Sequence, residues 1–469
     1  MTDRVRVRLS QETGSKDQPK SFWPFLRTPF IVERPLCTRL KVVIFLLGIG
    51  VCSLLLAGEG IRIAVATKLG ESMRLAEIRK AVLYDRENPE FHFRLGLAET
   101  YSLEGSNSAD GIRQLQRATD LSPHETRYWS ALASACELAG KSACASHAIN
   151  QTLTLSPMTP RLHWEAANYY LRANQQALAL GQFHRLLELD PGYAGATFRI
   201  CLQVTGDPDT VYRRVLTPAA SPELKLSYVD FLTTQGHEGF AYQVWKEVAS
   251  SRAPFSFLLA DPYLEHLIVT GNYQEATAVW RDLQRRDIVK KSDDDPGNLV
   301  FNGSFDKPPL NAGFGWRYRQ EPYLSFTFGD TGPYEGTRSL RLDFTVRVDG
   351  EYEPAFELDP VTPNRTYRLT ASVRSQDITS PSGPRLRVID PACPACLTVA
   401  TDMTVGTTPW HKITLDFSTG PKTQLVRLSV WRPKAIAFPP EITGTFWVSQ
   451  ISLTSVPSLT RQATRSGKT

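Results

Sequence analysis

The stretch Lys290–Asp306, KKSDDDPGNLVFNGSFD, divides the chain in two. Before it, more than two hundred residues carry apolar positions at helical spacing; after it, apolar residues fall at every second position. An acidic run closed by Pro296-Gly297 is a boundary signal, because proline removes a backbone donor and glycine reaches φ values closed to other residues. The chain is expected to restart here as a β-strand with Asn302-Gly303 turning behind it.

Downstream, Ser339–Val348 (SLRLDFTVRV) alternates Leu340, Leu342, Phe344, Val346 and Val348 with Arg341, Asp343, Thr345 and Arg347. The stretches YRLTASVRS from Tyr367 and HKITLDFS from His411 alternate likewise, and short strands between Gly, Pro and Asn turns predict a β-sandwich. Upstream, Pro89, Pro123, Pro157 and Pro191 recur every 34 residues, preceded by Asn88, Ser122, Ser156 and Asp190. Each follows an apolar-periodic run, where a residue without an amide hydrogen closes one helix and its fixed φ suits the start of the next.

The N-terminus is different again. Residues 1–41 hold nine Lys/Arg against four acids, which accounts for the whole net charge of +5 and leaves no basic footprint for nucleic acid in the remainder. Then Val42–Gly58 runs for seventeen residues without a charge, short but sufficient to begin a membrane-spanning helix. Positive charge on one flank predicts insertion with the N-terminus inside. Ala64-Val65-Ala66 would suit signal cleavage, yet the forty-one residues ahead of the apolar run exceed an ordinary signal head, so an uncleaved anchor is expected. The segment SFWPFLRTPF before it suits either an interfacial stretch or a tail without structure.

The 34-residue period is that of the tetratricopeptide repeat, and residues 75–290 resemble that family. Its small and large packing positions are met by Gly111 and Leu115, Ala145 and Ile149, and Ala179 and Phe183; Trp129 and Tyr170 stand where the family prefers those residues. Ala133 and Ala167 replace the usual glycine, and the pattern weakens at TGDPDT before returning with Ala241/Ala276 and Trp245/Trp280, giving about six units with an irregular fourth. The resemblance implies a helical solenoid whose groove binds protein partners. The segments NLVFNGSFD, Gly315-Trp316, GTRSLRLDF, PWHKITLDF and TFWVSQISL resemble the galactose-binding-like jelly roll of carbohydrate-binding modules. That resemblance implies a lectin-like sandwich, with Trp316, Trp410 and Trp447 mostly structural. In that family an acidic residue of the last strand helps hold calcium; Ser449 and Gln450 stand there instead, although Asp306 remains, and no metal is expected.

The expected fold class is α + β and multidomain: cytoplasmic basic tail (1–41), single transmembrane helix (42–58), α-helical tetratricopeptide solenoid (70–290), hinge-like linker (291–297), C-terminal jelly-roll β-sandwich (298–456) and a disordered tail (457–469). The sequence holds no GxSxG, HExxH, P-loop or GxGxxG, so no enzyme and no cofactor are expected. Trp129, Trp164, Trp245 and Trp280 read as packing residues, and His92, His147, His163 and His184 fall at no metal-ligand spacing. Cys393 and Cys396 form a lone CxxC between strands, read as a small-loop disulfide; Cys136 and Cys144 bracket a tight turn and can pair, while Cys37 and Cys52 lie in the tail or membrane part and Cys201 reads as a buried thiol.

In QLVRLSVWRP, alternation puts Arg427, Ser429 and Trp431 on the face opposite Val426, Leu428 and Val430. A tryptophan among polar residues can stack on a sugar, and Arg341, Arg347, Arg368, Arg374, Arg385 and Arg387 lie opposite core positions of other strands, as would suit an acidic polysaccharide; equally, they can be a solvated outer face. The function expected is a membrane-anchored extracytoplasmic scaffold, periplasmic or at the cell surface, that assists envelope or exopolysaccharide assembly. The alternatives are a purely protein-binding assembly factor with a structural sandwich, and a glycan-processing enzyme without a recognisable motif.

Overall fold

The computed structural model describes residues 39–72, 74–101, 108–290, 297–319 and 324–456, together with the side chains of all but a few of them. The basic tail before 39, the linker residues 291–296 and the tail from 457 fall outside these, as does Cys37. The chain divides into two compact units, residues 1–155 and 156–469.

In the first unit, α1 (Arg39–Gly70) extends well beyond the charge-free run, adding the ion-paired Glu59 and Arg62 and two further turns. Its part from Lys41 to Gly70 is long and apolar enough to cross a membrane, and Val43 to Leu56 stands exposed along it. At its end Gly70 lies so close to Phe91 that a Cβ would stand 2.3 Å from the ring. After α2 (Leu75–Tyr84) come two helix pairs, α3 (Pro89–Tyr101) with α4 (Ser108–Leu121) and α5 (Thr126–Leu138) with α6 (Ser142–Leu155). Gly96 and Gly111 permit the close approach of α3 to α4, since a Cβ on either would meet the other's carbonyl oxygen at 3.0 Å. Cys136 and Cys144 are bonded across the α5–α6 turn.

In the second unit the pairs continue: α7 (Pro160–Arg172) with α8 (Gln176–Leu189); α9 (Ala194–Thr205) with the short α10 (Pro208–Val211), prolonged by a π turn over Tyr212–Leu216; α11 (Pro222–Thr234) with α12 (Glu238–Ser250); and α13 (Phe257–Val269) with α14 (Tyr273–Arg285). Pro89 opens α3, but Pro123 and Pro157 sit in the turn ahead of the next helix, where their carbonyls are used. Trp129 Nε1 donates to Pro123 O at 2.8 Å, and His163 Nε2 meets Pro157 O at 2.9 Å. His92 Nε2 meets Arg86 O in the same way, six residues back, so one indole and two imidazoles tie down equivalent turns. Trp245 and Trp280 are buried, while Trp129 and Trp164 are half-buried.

The β region is a sandwich of two five-stranded antiparallel sheets. Its strands are β1 (Arg317–Tyr318), β2 (Leu324–Gly329), β3 (Ser339–Val348), β4 (Tyr352–Pro360), β5 (Thr366–Ile378), β6 (Arg385–Ile389), β7 (Thr398–Ala400), β8 (Gly406–Ser418), β9 (Leu425–Arg432) and β10 (Ile442–Ser455). One sheet runs β1-β4-β9-β6-β7 and the other β2-β3-β10-β5-β8. Leu340, Leu342, Val373, Leu386, Leu428, Phe446 and Trp316 fill the space between them. NLVFNGSFD is not the strand expected from its pattern. Leu299 N does bond Leu453 O, but the Asn298 side chain takes the next amide, Leu453 N, at 2.9 Å, and Asn302 and Phe305 turn the chain through positive φ. A side-chain amide has replaced the ladder that a strand would need.

The helices and the sandwich of this unit share apolar packing. Phe314, Leu358 and Leu425 belong to the helical core, and Trp280 meets Phe301 and Phe314 edge-on at 5.3 and 5.8 Å. Gly313, at φ +55°, donates its amide to Glu265 at 2.8 Å, and Arg317 grips the same carboxylate with both terminal nitrogens. A Cβ on Gly313 would stand 2.7 Å from Trp280 and 2.8 Å from Leu264. The residues on either side of the 291–296 segment are therefore packed together.

Candidate functional site

Alternation along β9 sends Val426, Leu428 and Val430 inward and Arg427, Ser429 and Trp431 outward. Register sets Arg387 of β6 opposite Ser429, Arg385 opposite Trp431, and Phe356 of β4 opposite Ser429 from the other side. On this outer face lies an open pocket of about 390 Å³ lined by Arg319, Glu351, Glu353, Phe356, Arg387 and Arg427. Glu353 accepts from Arg387 Nη2 at 2.7 Å and from Arg427; Glu351 accepts from Trp431 Nε1 at 2.7 Å and from Arg387 Nη1 at 3.4 Å.

Aromatic rings hold the guanidinium groups in place. Arg427 lies 3.8 Å above the Phe356 centroid, and Arg387 and Arg385 lie 4.3 and 4.8 Å from that of Trp431. Trp431 is thus occupied by two arginines and one carboxylate, which makes it a support for the pocket. Burial pushes the Arg427 and Arg385 pKa values down from the usual guanidinium value, and the neighbouring Arg387 charge adds to this; Glu353 opposes it at Arg427. Beneath, Ser429 is fully buried, and its Oγ, with Nε of Arg385, Arg387 and Arg427, has no hydrogen-bond partner among the described residues.

The other predicted arginines are elsewhere. Arg341, Arg368 and Arg374 belong to the opposite sheet, where Arg341 pairs with Asp343, Arg368 with Asp416, and Arg341 and Arg374 flank Trp447. Arg347 lies in β3 but outside the described side chains. The single face expected from alternation is therefore two faces of two sheets. A period of two separates core from exterior but is blind to which sheet a strand joins.

Glu351, Glu353, Phe356 and Arg319 were missed. The signal was the odd-numbered acids of GEYEPAFELDP, and the obstacle is a bulge: the β4–β9 register shifts between Tyr352 and Ala355. Glu353 consequently faces out, while Glu357 and Asp359 face the sandwich interior and are fully buried. Glu357 accepts the Phe301 amide; its Oε2 and both Asp359 oxygens lack partners beyond the pair itself. Burial pushes the Glu357 pKa well up, with Asp359 adding to it, and pushes Asp359 up to about 7.

Among the described residues no His, Cys, Asp and Glu cluster of three or more could hold a metal ion. Ser449 donates to Arg338 O, Gln450 accepts from Ser372, and Arg338 itself reaches Phe328 O and Asp330. Cys393 and Cys396 are bonded to each other. Cys201 is buried, and burial lifts its thiol to about 12, which leaves it inert.

Solved structures of several proteins are similar to parts of this chain. A crystal structure of MamA is 14% identical over 46% of this chain and 95% of its own, with a TM-score of 0.26. A family 4 carbohydrate-binding module is 12% identical over 34% of this chain and 99% of its own, with a TM-score of 0.25. The enzymatically active domain of bacteriophage CBA120 tailspike protein 4 is 14% identical over 34% of this chain at a TM-score of 0.26, and the match spans 22% of that protein. At these TM-scores the likenesses carry no argument by themselves. No family model and no curated sequence matches the chain.

Proposed function

We propose that this chain is a membrane-tethered, extracytoplasmic binding protein whose helix pairs hold a protein partner and whose sandwich holds a glycan, in the service of envelope or exopolysaccharide assembly. The observation that carries the reading is the pocket. A charged recess with an aromatic wall, on the outer face of a sandwich, is built to recognise a polar ligand. The exposed apolar stretch of α1 supplies the tether, and the positive charge ahead of it sets the orientation. The chain carries no GxSxG, HExxH, P-loop or GxGxxG, and the pocket serves as a binding site.

Two experiments test this. A reporter fused after Ser455 should be active in its extracytoplasmic form, and activity of a cytoplasmic reporter there overturns the topology. The detergent-solubilised full chain should retain glycans on an array. The second reading, a protein-binding assembly factor with a structural sandwich, is favoured by one observation: the helices pack on this sheet at Leu358 and Leu425. An array that retains no glycan selects it.

A further inference from the structure

Three guanidinium groups and two carboxylates line the pocket, an excess of one positive charge. Glu353 is shared by Arg387 and Arg427, and Glu351 by Arg387 and Trp431. Arg319, the remaining cation, is exposed at the rim and has no ion-pair partner among the described residues. Arg387 and Arg427 are largely desolvated, with side chains 16% and 29% exposed. Like charges brought together and partly stripped of water repel, and the rings of Phe356 and Trp431 prevent them from swinging apart. The Nε–H groups of both arginines are sealed beneath with no acceptor, so they contribute further uncompensated positive field. An anion seated in the recess would offset this excess of positive charge.

The carboxylates narrow the class of anion. Glu351 is 59% exposed at the mouth and can accept hydroxyl protons there. A ligand that suits the recess therefore offers a carboxylate to the arginines and, a few ångströms away, hydroxyl donors to Glu351. An acidic peptide supplies the first without the second. A sugar acid supplies both on one ring, and a recess of about 390 Å³ is of ligand-binding size.

We propose that the pocket between β4, β9 and β6 recognises the carboxylate of a uronic-acid residue, with Arg319, Arg387 and Arg427 around the carboxylate and Glu351 accepting from the ring hydroxyls. The proposal rests on the glycan-binding reading and names its substrate class. Trp431 is a positioning residue that fixes Arg387.

Calorimetric titration of the detergent-solubilised full chain tests it, with oligogalacturonide, its methyl ester and poly-glutamate as probes. The acid oligosaccharide should bind about tenfold more tightly than the ester, since a charge-assisted hydrogen bond is lost on esterification. Arg319→Gln, at an exposed position, should weaken the acid probe several-fold and the ester by less, since only the acid loses a charge-assisted contact. Equal affinity for acid and ester would overturn the uronate assignment while the glycan reading stands. No binding of either sugar removes both. Poly-glutamate bound as tightly as the oligosaccharide overturns the assignment in favour of an acidic peptide.

Discussion

The buried pair Glu357 and Asp359 makes the sandwich sensitive to pH in an unusual direction. Burial raises both carboxyl pKa values in the folded chain, so each keeps its proton to higher pH than in the unfolded chain, where carboxyls ionise near pH 4. The folded state then binds more protons, so stability is greatest below the unfolded pKa and falls as pH rises. For Asp359 the interval from 3.8 to about 7 corresponds to about 4 kcal/mol at 1.36 kcal/mol per unit, lost between about pH 4 and 7. Glu357, whose pKa is raised by the same burial, adds to the loss in the same direction. The carboxylates of exposed Asp416 and half-buried Asp349, whose pKa values are lowered by Arg368 and by the Ala435 amide, act only on the acid side of this window. Urea unfolding of the solubilised chain, followed by tryptophan fluorescence, to which the core residue Trp316 contributes, should show the midpoint falling from pH 5 to 8. In the Glu357→Gln, Asp359→Asn double variant it should be nearly level, and above the parent at pH 8. The Glu357→Gln side chain keeps an acceptor oxygen for the Phe301 amide, so loss of that bond does not confuse the comparison. A parent midpoint that is level from pH 5 to 8 would refute the reasoning.

Gly313→Ala should destabilise the second unit by about 1–3 kcal/mol, because it adds a methyl against Trp280 and Leu264 at a left-handed φ; limited proteolysis near Lys290 should accelerate with it. Arg432 is buried, with Ser382 O, Asp349, Ser380 and Pro440 O around its guanidinium; Arg432→Leu strands those acceptors and should cost about 3–5 kcal/mol in a denaturant titration. Trp129→Phe keeps most of the packing but frees Pro123 O, for an expected loss of about 1 kcal/mol by the same measurement.

The helical half was legible because its constraints are local. Proline spacing marks the turns, and small residues such as Ala179 and Gly111 mark where two helices meet, since a larger side chain there would hold them apart. The strands were legible for the same reason: Leu340, Leu342 and Phe344 all face the core. What escaped depends on partners distant in sequence. Arg341 and Arg427 look equivalent by alternation, yet their strands join different sheets. The bulge after Tyr352 reverses the facing of the later residues in β4, which is why Glu353 lines the pocket while Glu357 and Asp359 form a buried pair. Asn298 defeated the strand expected at NLVFNGSFD because a side chain supplied the hydrogen bond that the pattern assigns to backbone.

The seam around Trp280 has a practical and an evolutionary side. Cutting the chain at the acidic segment would leave Phe301, Phe314, Leu358 and Leu425 as an uncovered oily scar on the released sandwich, and such a fragment is expected to associate with itself. A transplantable cassette would have to begin upstream, at Phe257, so that its own lid travels with it. Inheritance by domain shuffling faces the same constraint: the piece that can move between genes intact is a helix pair and a sandwich together.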